Sequence, residues 1–120
     1  MKMELRITIK GHTYSAKLSE KALRQLAERC PFEKSFVRSG NHEYYCRLRN
    51  GLDVTGMQDT KQVHRNGIYY FAAWNALSFV YRDENIAPYQ VTYLGEFPKE
   101  MSDLLETADS SETASLEVSE

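Results

Sequence analysis

The chain has little cysteine, no long apolar run and no clustering of positive charge, and each shortage narrows its function. Cys30 and Cys46 are the two cysteines, with fifteen residues between them. With no second pair nearby, nothing demands a disulfide. No run approaches the roughly 20 apolar residues of a membrane span, so no membrane partner is expected. Met1-Lys2-Met3-Glu4 leads straight into a strand pattern without an export signal. The expected setting is reducing and cytoplasmic, with both thiols free. The formal charge is −2, but Pro98–Glu120 holds one lysine against seven acids, which leaves +4 on residues 1–97. Basic and acidic residues are interleaved there, whereas a nucleic-acid surface gathers Lys and Arg on one face. No nucleic-acid partner is expected.

The usual catalytic signatures are also missing. Gly40, Gly51, Gly56 and Gly67 are scattered singly, so no phosphate-cradling loop forms. No serine occupies a nucleophile elbow. His12, His42 and His64 are not spaced to share a metal with one another or with a cysteine pair; they read as solvated histidines of turns and loops. Cys46 alternates with polar neighbours and reads as an inward-facing small hydrophobe. No catalytic residue, metal or cofactor is assigned.

What is present is a domain's worth of β pattern. The 120 residues are 42% apolar, 27% charged and 12% aromatic, the composition of one globular domain with a tilt toward strands. Met3, Leu5, Ile7 and Ile9 alternate with polar residues. After a turn at Gly11-His12, Tyr14, Ala16 and Leu18 alternate again, so a β-hairpin opens the chain. Ser19 stands as a helix N-cap with Glu20 in the first turn. Ala22, Leu23, Leu26, Ala27 and Cys30 then make one apolar stripe, which Pro31 stops.

Phe32–Val37 reads as a short strand and Ser39-Gly40-Asn41 as a break. Tyr44, Cys46 and Leu48 alternate in the next strand, and Asn50-Gly51 signals a turn. Residues 52–66 read as a long excursion, of the kind that is functional or disordered in a small domain. The dense apolar stretch from Ile68 to Tyr81 divides into a strand at 68–71, a turn at Ala73-Trp74-Asn75 and a buried strand at 76–81. A single long helix is the competing reading. Val91–Leu94 forms a further strand. Residues 98–108 suit a C-terminal helix. Residues 109–120 read as a disordered acidic tail that adds nothing to the core, since Ala114, Leu116 and Val118 are its apolar residues. Many strands with one early helix suggest a closed barrel, because closure removes exposed edges.

Several of these segments carry a family resemblance. The hairpin Met3–Leu18, the helix ending in Cys30-Pro31, Gly40-Asn41-His42-Glu43-Tyr44-Tyr45, Trp74-Asn75-Ala76-Leu77-Ser78-Phe79-Val80-Tyr81 and Val91-Thr92-Tyr93-Leu94-Gly95-Glu96-Phe97 together resemble the small prokaryotic cyclophilin-like family. The likeness spans 1–97. It implies a mostly β fold: a small antiparallel β-barrel similar to cyclophilin, with one early α-helix and a short C-terminal helix. Cyclophilins isomerise prolyl peptide bonds with an arginine set in a Phe-His-Arg segment. Phe36-Val37-Arg38 is similar, with valine in place of histidine. The Ile-Ile-Pro run that follows in cyclophilins is replaced here by Ser39-Gly40-Asn41, and their later tryptophan and histidine have no matching positions after Tyr81.

Three functions follow as expectations. The first is a non-catalytic module that binds a peptide or small molecule on a face carrying Arg38, Tyr44 and Trp74. There Arg38 would supply fixed donors and the aromatics would cover apolar surface. Arg38→Ala should then leave folding intact. The second is a peptidyl-prolyl isomerase resting on Arg38. The third is an accessory protein-interaction module that uses the acidic tail as a contact. For Trp74 a place capping the barrel core competes with a place on the wall of a groove.

Overall fold

A computed structural model describes residues 3–119 of the chain. Strand β1 (Glu4–Ile9) buries Leu5, Ile7 and Ile9 on one side, as its period-two pattern requires. It turns at Lys10 and Gly11, both with positive φ, into β2 (His12–Leu18). The paired positive φ values match the twist of the two strands. The Ser19 hydroxyl accepts from the Ala22 amide and starts α1 (Glu20–Ala27), whose Ala22, Leu23 and Leu26 enter the core. Strand β3 (Phe32–Ser39) and β4 (Glu43–Arg47) form a hairpin around residues 40–42.

The excursion at 52–66 is anchored rather than free. Leu52 is buried, Val54 packs on the core, and the Gln25 side-chain amide of α1 accepts from the Asp53 N–H (2.6 Å) and donates to the Asp53 carbonyl (2.8 Å). Two short strands follow, β5 (Asp59–Thr60) and β6 (Gln62–Val63). The apolar stretch divides as its sequence indicates. Strand β7 (Gly67–Phe71) runs into a 3-10 turn at Ala72–Trp74, and Asn75 then reverses the chain with φ 51° into β8 (Ala76–Val80). Asparagine tolerates that left-handed backbone better than other side chains. The short β9 (Glu84–Asn85), β10 (Val91–Glu96), helix α2 (Lys99–Glu106) and β11 (Ser111–Ser119) complete the chain.

Eight of these strands close an antiparallel barrel in the order β2–β1–β11–β3–β4–β8–β7–β10, and β10 returns to β2. The returning pair is Gly95↔Leu18 and Glu96↔Lys17. A side chain at Gly95 would meet the Lys17 carbonyl oxygen at 2.1 Å, so only glycine permits the last seam. Tyr44, Tyr70, Phe36 and Phe79 are the largest fully buried side chains and fill the interior. Both helices add to the same core, α2 through Met101 and Leu105. Both cysteines are free thiols, and burial pushes the Cys46 thiol up to about 12.

The acidic segment expected to be a disordered tail is instead a central strand. Residues 111–119 pair with β1 on one side and β3 on the other, and Ala114 and Leu116 have no solvent exposure. The barrel therefore extends well past residue 97. Its low apolar content misleads because Ala114, Leu116 and Val118 alternate at strand period, so three apolar residues suffice for one buried face. Removal of residues 109–120 should abolish cooperative unfolding. Leu116→Ala, a milder probe, should lower the unfolding free energy by about 2–5 kcal/mol in a denaturant titration. A truncated chain that melts like the full one would contradict this account.

Candidate functional site

Side-chain parity along β4 sorts the candidate residues. Tyr44 and Cys46 point into the barrel, so Glu43, Tyr45 and Arg47 point out. Arg38, directly opposite Tyr44 in the β3–β4 ladder, lies on Tyr44's side. Its guanidinium donates to the Tyr44 hydroxyl (2.7 Å) and the Ala108 carbonyl (2.5 Å), with its carbon 5.3 Å from the Tyr44 ring centre. The Tyr44 hydroxyl in turn donates to the Asp109 carbonyl (2.6 Å), and the Arg38 amide donates to the Ser110 carbonyl (2.9 Å). Arg38 and Tyr44 thus clasp the segment that leads from α2 into β11. The ion pair with Glu43 that a surface arginine would make is not formed, because Glu43 lies on the outward half of β4.

Trp74 is apart from that pair. It sits outside the core, 55% exposed, in the turn between β7 and β8. The structure brings Arg38 and Tyr44 together and leaves Trp74 on the outer face.

That outer face is the more informative one. All five residues of β8 are buried, although only Leu77 and Phe79 belong to the barrel core. Something must cover its outward side. Val80 packs there with Val63, Tyr69 and Val91, flanked by Phe71 and Ile86, as a second apolar cluster. The cover is the chain around β6 and β9, which pair with each other as a separate ribbon. Beside this cluster lies an open cavity of about 270 Å³. Tyr45, Phe71, Ala76 and Ser78 line it from the barrel strands, and Trp74 and Tyr89 from the flanking turns. Phe71 is the central ring, 5.7 Å from Trp74 and 6.0 Å from Tyr89.

The cavity has a polar end at Ser39, His42 and Glu43. His42 is not the solvated loop histidine its position suggests, since its side chain is only 15% exposed. Its Nδ1 is buried without a hydrogen-bond partner, and its Nε2 lies 3.9 Å from the Glu43 carboxylate. Burial raises the Glu43 carboxyl above the ordinary glutamate value, partly offset by His42 and by the Ser78 and Ser39 hydroxyls. A desolvated carboxylate among aromatic rings is the kind of feature that clusters at functional sites. Glu43 and Tyr45 were legible as the outward half of an alternating strand. The apolar run of β8, interrupted by the small Ser78 alone, was the remaining signal that this face is covered.

A second depression, about 350 Å³, lies beside Tyr69 and Tyr93 and is lined by Gln58, Thr60, Arg65 and Glu96 among others. Its arginine is already held by Asp103 and Glu106. Among the described residues, no group of three or more His, Cys, Asp or Glu side chains converges as a metal site requires.

A protein-family model described as the cyclophilin-like family matches residues 7–117. Among solved structures, the solution structure of the hypothetical protein AF2241 from Archaeoglobus fulgidus is similar in fold. It aligns with a TM-score of 0.70 over 96% of this chain and 93% of that one, at 19% identity. No curated protein matches.

Two outcomes test this geometry. Arg38→Ala should destabilise the fold by about 1–3 kcal/mol, because it strips charged hydrogen bonds from two buried partners. An unchanged denaturation midpoint would refute the clasp. For Glu43 the sign follows from its raised pKa. The folded state holds the proton more tightly than the unfolded chain, so stability falls as pH rises from the ordinary glutamate value through Glu43's own. Glu43→Gln should therefore melt higher than the parent at pH 7, with the difference closing below about pH 4. A difference independent of pH would mean that Glu43 is not desolvated.

Proposed function

Since the chain belongs to the cyclophilin-like family, whose barrel is a scaffold and not in itself an activity, we propose that it is a binding module. Its ligand, a small molecule or a peptide side chain, seats an apolar or aromatic group among Phe71, Trp74 and Tyr89. A polar end of the ligand faces Glu43 and His42. The observation that carries this reading is the exposure of two large aromatics, Trp74 at 55% and Tyr89 at 61%, on the rim of one cavity. Exposed aromatic surface gathered beside a few fixed polar groups is what ligand sites have in common. The volume, about 270 Å³, lies just below the roughly 300–1,000 Å³ usual for ligand sites. It suits a head group or a single side chain better than an extended peptide.

The isomerase reading has less in its favour. Its arginine, Arg38, is committed to Tyr44 and Ala108, and among the described residues no arginine lines the cavity. Prolyl isomerisation needs donors that bind the twisted amide more strongly than either planar form. The accessory-module reading relied on a free acidic tail, whereas residues 111–119 are a barrel strand.

Trp74 is the chain's one tryptophan, so its emission reports on this cavity directly. In a fragment and short-peptide screen, binders should shift Trp74 emission and perturb the amide resonances of residues 43–45 and 71–78. Trp74→Leu should abolish that binding while moving stability by no more than about 0.5 kcal/mol, as for other surface substitutions. Binders that leave Trp74 unaffected would refute the site. Acceleration of a prolyl peptide's exchange beyond its uncatalysed tens to hundreds of seconds would favour the isomerase instead.

A further inference from the structure

The walls of this cavity have a chemistry more specific than apolar. Phe71 meets Trp74 at an interplanar angle of 53° and Tyr89 at 79°. Planes so steeply inclined behave as walls meeting at corners, not as a stacked pair. Tyr45 contributes a fourth aromatic side chain to the same lining. Each ring face carries the negative lobe of its quadrupole, and several such faces around one space attract a cation and offer little to an anion.

The charged groups agree in sign. Glu43 is the one carboxylate of the lining, and among the described residues no lysine or arginine lines the cavity. Arg47, on the same outward face of β4, is turned onto the Trp74 carbonyl at 3.1 Å and is not a lining residue. His42 is the remaining titratable group, next to the carboxylate at 3.9 Å.

Building on the binding reading above, we propose that the cavity recognises an alkylated ammonium group, with Phe71, Trp74, Tyr89 and Tyr45 surrounding its methyl groups and the Glu43 carboxylate balancing its charge. A strongly hydrated primary ammonium would lose its water for rings that return no hydrogen bonds. An alkylated one has little hydration to lose and spreads its charge over methyl groups that pack on the rings. The same chemistry arises from a free small cation of the choline type or from a trimethyllysine side chain in a peptide.

The test titrates the full chain with choline and with a short trimethyllysine peptide, each beside its neutral carbon isostere, following Trp74 emission. For choline the isostere is dimethylbutanol, which keeps the shape and removes the charge. At least one of the two cations should bind about tenfold or more tightly than its isostere, and whichever does identifies the source. Glu43→Gln and Tyr89→Leu should each weaken binding of the cation more than binding of the isostere, and so erase most of that preference. Tyr89 is 61% exposed, so its replacement does not threaten folding. Equal affinity for cation and isostere would overturn the cation proposal and leave the binding module standing. If no probe moves Trp74 emission, the cation proposal also fails, and the binding module then depends on the fragment screen alone.

Discussion

The closed ring of strands rests on β11, which joins the first strand of the chain to the middle of the fold. Its partners are residues 4–9 on one side and 32–37 on the other, so no neighbour in sequence can replace it. Without it the barrel would expose two long edges with unpaired amides and carbonyls. The core would open between Leu5 and Ile7 on one side and Phe36 on the other. Two devices hold this strand and the ring in place. Arg38 and Tyr44 grip the chain at residues 108–110 just before β11 begins. At the opposite seam, Gly95 lets β10 approach β2 closely enough to pair. These contacts are long-range in sequence, the type whose loop-closure entropy must be overcome before they stabilise anything.

A filled interior has a consequence for function. Large aromatic side chains occupy the centre of the barrel, as they do in other eight-stranded barrels too narrow to leave a cavity. A ligand is therefore accommodated on the outside, where the two segments around β6 and β9 fold back over β8. These excursions give the outer face a second apolar cluster, and at its margin they leave the aromatic cavity. The barrel thus supplies a rigid base from β4, β7 and β8, while the connecting segments add Trp74 and Tyr89. Sites built on strands hold their geometry more tightly than sites built wholly on loops.

The outer site also carries features that do nothing for stability. A carboxylate is kept partly desolvated beside aromatic rings, and two large rings remain in water. The histidine next to the carboxylate buries a ring nitrogen with no partner, an arrangement that ordinarily destabilises a fold. Arg38 also buries its Nε without a partner, but its terminal nitrogen and the Tyr44 hydroxyl bond one another and the backbone, which marks the pair as architecture. Tyr44 and Tyr45, neighbours of one residue type, thus play different parts according to the side of the wall they occupy.

Local pattern was enough for much of this. The alternation of Leu5, Ile7 and Ile9, the stripe of Ala22, Leu23 and Leu26 behind Ser19, and the division of residues 68–81 at Asn75 each encode an element in consecutive residues. There backbone propensity and burial act over a few positions. The number of strands pointed to a closed barrel, and the family resemblance implied the same architecture. The alternation along β4 is visible in the sequence, yet the expected ligand face included Tyr44, which its inward parity excludes. Two matters depended on partners distant in sequence. Residues 111–119 look too polar to fold, because a strand enclosed between two others needs few apolar residues when its backbone is fully paired. Arg38, Tyr44 and Trp74 look like one constellation, because composition does not say which side of a closed sheet a residue faces. Only closure of the ring and the left-handed turn at Asn75 set Arg38 against Tyr44 inside and Trp74 against Phe71 outside.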